Sequence, residues 1–127
     1  MKLSILAAFF HANTYNNGRG NTMTREDVLS TLRAHLPEIK RRFGVKRLGI
    51  FGSVARDEAT NGSDVDIIVE FEKGFYTYKN FMALYDYLEK LLGISIDLLT
   101  AQAVENIRYT EIKDAIKRET VYVYTGR

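Results

Sequence analysis

The chain has 127 residues, 46% of them apolar and 27% charged, with 18 basic against 16 acidic side chains for a formal charge of +2 and no cysteine. That length suits one compact domain burying roughly two thirds of the surface its unfolded form exposes, with no room for a second independent core. The balanced charge argues against direct nucleic-acid binding through a net field. The missing thiols exclude disulfides, thiol catalysis and cysteine zinc sites, which is compatible with a reducing cytoplasm.

In chain order, "MKLSILAAFF" at the N-terminus places one lysine before a short apolar run. The run faintly resembles a secretion signal, but no small-residue cleavage site follows, and spanning a bilayer needs about 20 apolar residues. The polar stretch after it reads as flexible, so residues 1–22 are expected to be a flexible extension and residues 23–127 the folded domain. From Thr24 an amphipathic helix is expected. Thr24 is placed to cap it with Asp27 three positions on, and Leu29, Leu32, Leu36, Ile39 and Phe43 recur at helical spacing. Pro37 predicts a kink or a second short helix, and Gly44 a left-handed stop.

"VKRLGIF" (45–51) reads as a strand, followed by Ser53 as cap of a short helix over 54–58 and by a turn at "ATNGS". "DVDIIVEF" (64–71) is a second strand, and 79–92 a helix with Phe81, Leu84, Tyr85, Leu88, Leu91 and Leu92 on one face and Gly93 as stop. "ISIDLLT" (94–100) is a third strand, followed by a helix over about 104–119 and an edge strand in the Val- and Tyr-rich end. The fold class is α+β, with α/β-like character: a small mixed sheet of three to four strands with helices packed on it.

The chemistry concentrates in "GSVARDEATNGSDVD". Strand alternation sends Asp64 and Asp66 to one side, where two carboxylates repel unless a hard cation such as Mg²⁺ joins them. The pair follows a Gly-Ser turn after ten residues, and that turn, Gly52 and Ser53, offers backbone N–H groups to an anion. Asp97 is a third carboxylate in an otherwise apolar strand. Alone it reads as well as a strand-end residue paired with a base, but with the other two it suggests a two-metal site. Tyr76 and Tyr78 could stack on a base or cover the sheet edge or a partner; the basic run at 40–42 reads as a solvated last helical turn.

The run "RFGVKRLGIFGSVARDEATNGSDVDIIVEF" together with "ISIDLLT" resembles the polymerase-beta-like nucleotidyltransferase superfamily, and most closely its minimal nucleotidyltransferases. The resemblance spans about residues 24–124 and implies that Gly52, Ser53 and Arg56 hold a nucleotide triphosphate. It further implies that Asp64 and Asp66 bind metal, with Asp97 completing a second metal site and helping to activate the attacking hydroxyl. It implies ATP as substrate, two Mg²⁺ ions, and an antitoxin that AMPylates a hydroxyl, a tyrosine, of a cognate HEPN ribonuclease toxin with which it forms a hetero-oligomer. Two alternatives are an antitoxin that works by binding alone and nucleotidyl transfer to a small molecule. In the family, glycine usually follows the arginine of the turn; here Asp57 stands there, adding a negative charge near the phosphates.

Overall fold

The computed structural model describes residues 23–60 and 62–124; the expected extension at 1–22 lies outside them. Helix α1 (Arg25–Phe43) opens on a reciprocal cap, in which Thr24 Oγ1 accepts the Asp27 N–H at 3.1 Å and Asp27 Oδ2 accepts the Thr24 N–H at 3.2 Å. Its buried stripe is Val28, Leu29, Leu32, Leu36, Ile39 and Phe43, and Gly44, with φ 67°, ends it. Pro37 does not start a second helix: α1 runs unbroken for 19 residues. The proline sits on the exposed side, where the Arg33 carbonyl that loses its N–H partner can meet water, while the buried stripe on either side keeps the helix on the core.

Strand β1 (Val45–Phe51) leads into the four-residue helix α2 (Gly52–Ala55), then β2 (Val65–Phe71), α3 (Tyr78–Leu92), β3 (Ile96–Thr100), α4 (Ala101–Glu105), α5 (Thr110–Glu119) and β4 (Val121–Tyr122). The sheet order is β3-β2-β1-β4. β1 is antiparallel to both β2 and β4, whereas β2 and β3 are parallel and therefore need the crossover that α3 supplies. The mixed four-stranded sheet matches the sequence expectation, and the Val- and Tyr-rich end forms its edge.

Several boundaries differ from expectation, among them β3, which starts at Ile96 rather than at 94, and the short helix, which ends at Ala55 rather than at 58. The short helix begins at Gly52 rather than after Ser53, because Gly52 (φ 78°) turns the chain directly out of β1, and its N-cap, Phe51, has no polar side-chain atom to make a capping bond. The single helix expected over 104–119 is two helices. Thr100 caps α4 at the very end of β3 by accepting the Ala103 N–H at 3.0 Å, and the chain turns at Asn106 before α5 starts. Asp64 falls one residue before β2.

The sheet separates two apolar layers. On one side Leu48, Ile50, Val65, Ile67, Val69, Ile96 and Leu98 pack with α1 and α3. On the other, Phe51, Ile68 and Leu99 pack with Val104 of α4 and Ile116 of α5.

Candidate functional site

Two buried carboxylates stand side by side where the parallel strands begin. Asp66 of β2 is the register partner of Asp97 of β3, and they are 3% and 7% exposed, the only buried charged side chains among the described residues. Alternation puts both on the face that carries Ile68 and Leu99, one step from the second apolar layer. Phe51, the last residue of β1, is the partner of Asp66 on its other side. The chain then turns at Gly52, and a methyl group there would collide with the Asp66 carboxylate. The turn and the acid are thus in direct apposition, and only glycine fits between them. Ser53 is half-buried on α2, and Asp64 half-buried just ahead of β2. The expected residues therefore converge: Gly52, Asp66 and Asp97 in immediate contact or register, with Ser53 and Asp64 flanking.

The end of α2 is closed by the Glu58 N–H to Ser53 O at 2.8 Å and the Asp57 N–H to Val54 O at 3.0 Å. This double closure is the motif in which a left-handed residue follows the helix. Asp57 is that residue, with φ 63°, the sole non-glycine at positive φ among the described residues. Arg25 Nη1 donates to Ala55 O at 3.2 Å, tying α1 to the same turn. Arg56 is held by two acids: Nε donates to Glu58 Oε1 and Nη1 to Glu119 Oε1, each at 2.9 Å. Burial works against the guanidinium charge, yet these two bonds hold its pKa above the ordinary arginine value. Glu119 lies 63 residues from its partner, so no local spacing pointed to it.

A cavity of about 400 Å³ opens along β3, lined by Asp97 and Leu98 with Tyr76, Tyr78, Phe81, Met82 and Tyr85. Tyr76 and Tyr78 are well exposed and form its aromatic rim. A second cavity, about 530 Å³, lies at the far ends of β2 and β3 against Arg47, Glu70 and Thr100, away from the acids.

The donor set suits a hard divalent cation. Two carboxylates buried in register repel each other and both resist loss of water, and a cation between or beside them relieves both effects. No group of three acids or imidazoles is already arranged for a metal among the described residues. Mg²⁺, however, is commonly held by one or two carboxylates with substrate phosphates completing its shell.

The nucleotidyltransferase domain family matches residues 32–123, a stretch that contains the turn, both strands and every acid discussed. The chain belongs to the nucleotidyltransferase family. A protein adenylyltransferase, MntA of Thermococcus cleftensis, is 42% identical to this nucleotidyltransferase over 101 residues, covering 80% of this chain and 97% of the relative. A solved structure assigned provisionally to the minimal nucleotidyltransferases has 32% identity, a TM-score of 0.62, and covers 80% of this chain and 98% of that one. A tri-AMPylated Shewanella oneidensis HEPN toxin in complex with its MNT antitoxin has a chain similar in fold alone, at 14% identity, TM-score 0.51, and 77% and 73% coverage. Among the described residues no helix of the nucleotidyltransferase is long and apolar enough to cross a membrane.

Proposed function

We propose that this nucleotidyltransferase moves AMP from ATP onto a protein hydroxyl, and that the acceptor is a tyrosine of a HEPN ribonuclease toxin, which it silences as an antitoxin in the cytoplasm. The observation that carries the reading is the register pair of buried acids, Asp66 and Asp97, set against a glycine turn with no space for a side chain. The protein adenylyltransferase relative supports the transfer to protein, and the AMPylated toxin bound by a chain of the same fold supports the class of partner.

In this reading Gly52, Ser53 and Arg56 receive the triphosphate. Asp64 and Asp66 would hold divalent metal, and Asp97 would share it and face the acceptor. Bound there, a divalent metal would supply positive charge to the triphosphate and lower the pKa of the attacking hydroxyl. The acceptor oxygen forms a new bond to the α-phosphorus as the bond to the bridging α–β oxygen breaks. Pyrophosphate departs with that electron pair, and the hydroxyl proton passes to a carboxylate oxygen of Asp97.

The test incubates the chain with its co-expressed HEPN partner, Mg²⁺ and labelled ATP. Label on the partner and mass increments of AMP are expected, with Asp66→Asn and Asp97→Asn each slowing transfer by about 100-fold or more. If no label appears, and an Asp64→Ala, Asp66→Ala double variant protects cells as well as the unaltered chain, neutralisation is by binding alone and the catalytic reading is wrong.

A further inference from the structure

Glu119 is the last residue of α5, where a carboxylate faces the negative end of the helix dipole and is disfavoured unless paired. Its partner is Arg56, at 2.9 Å, and both side chains are mostly covered, 22% and 27% exposed. The position is fixed from behind. Thr120 Oγ1 donates to Ile116 O at 2.6 Å, Ile116 is fully buried in the same apolar cluster as Phe51, and β4, which follows at once, pairs with Gly49 and Ile50 of β1. The strand that delivers Gly52 and the helix that delivers Glu119 are thus parts of one rigid unit. Glu58 grips the guanidinium through Nε while Glu119 grips Nη1, so two separate edges of a planar group are held and its plane is set.

We infer that Glu119 is a positioning residue for nucleotide binding: it acts through Arg56, whose backbone N–H bonds Gly52 O at 3.0 Å, by holding the guanidinium in place before the triphosphate arrives. The inference rests on the proposed nucleotidyl transfer and goes beyond it, since it assigns a residue of the C-terminal helix to the phosphate side of the site. An arginine already ordered loses little side-chain freedom when it meets an anion, and loosening it weakens binding without touching the reacting atoms.

The experiment measures binding of a non-hydrolysable ATP analogue with Mg²⁺ by calorimetry, and KM and kcat in the transfer assay, all on the full chain. Glu119→Gln is expected to weaken analogue binding and raise the KM for ATP roughly three- to tenfold, with kcat within about twofold. Arg56→Ala is expected to do at least as much, and the double variant no more than Arg56→Ala alone. Effects that add in the double variant, or a lowered melting temperature with an unchanged KM, overturn the inference. If Glu119→Gln does not fold, Glu58→Gln, at an exposed position, loosens the same guanidinium and is expected to raise KM about two- to threefold; an unchanged KM there overturns it equally. Failure of the underlying reading is distinguishable, because the unaltered chain would then not bind the analogue at all.

Discussion

Gly52 illustrates how one missing side chain sets the geometry of a site. Its φ of 78° is poorly available to other residues, and its α-carbon faces the Asp66 carboxylate with no space for a methyl group. Gly52→Ala therefore meets two penalties, a left-handed backbone and a displaced buried acid. We expect a loss of about 1–3 kcal/mol in denaturant unfolding and no detectable ATP binding in a calorimetric titration. Asp57 is the opposite case. It occupies the left-handed position that closes α2, which glycine adopts without steric cost. Asp57→Gly is expected to raise stability by about 0.5–1 kcal/mol, the relief of strain exceeding the added freedom of the unfolded chain, and this is readable as a melting temperature higher by a few degrees. The shared face of Asp66 and Asp97 follows from alternation along a strand, a local rule, whereas Asp64 falls one residue before β2, where alternation does not fix its direction. The Arg56–Glu119 pair was not legible in the sequence, because no local pattern joins residues that meet only after the sheet has formed.

At the level of elements, the sequence was most readable where a stripe and its caps agree. α1 has its reciprocal cap at Thr24 and Asp27, and α3 has Thr77 accepting the Asn80 N–H at 3.1 Å and Gly93 at φ 72°. It was least readable where a single residue has two meanings. Thr100 closes β3 and caps α4 at once, so the helix starts earlier than its apolar periodicity shows, and the break at Asn106 then divides one expected helix into two. Pro37 is the clearest conflict between local preference and tertiary packing. Its ring removes one hydrogen bond from α1, but Leu32, Leu36, Ile39 and Phe43 remain buried on the same face. Proline in a helix interior is about 3 kcal/mol worse than alanine, and part of that is returned by the stiffer unfolded chain. Pro37→Ala is therefore expected to stabilise the protein by about 2 kcal/mol in urea unfolding, with unchanged transfer activity because the residue lies on the exposed side, away from the acids.

For the molecule as a whole, the question is how much chain the fold and the site require. Among the described residues, every buried residue of both apolar layers lies between Val28 and Val123, with Met23 packed at the margin of the larger one. The acids, the turn, Arg56 and Glu119 fall inside the same span, and the relative from Thermococcus cleftensis matches this chain over 101 residues that make up 97% of its own length. A chain beginning at Met23 should then fold and act unaided. The first 22 residues include the apolar run "LSILAAFF", so a contribution to the core from that run is the competing possibility. Fully burying even one large apolar side chain is worth about 1.5–3 kcal/mol, enough to move the melting temperature of a domain this size by several degrees. The two cases are thus well separated. We expect a 23–127 chain to melt within about 2 °C of the full chain, since about 4 °C per kcal/mol makes that shift smaller than the loss of one buried residue, and to transfer AMP at an unchanged rate. A drop of 5 °C or more in a thermal scan at matched concentration would instead assign the run a place in the folded core.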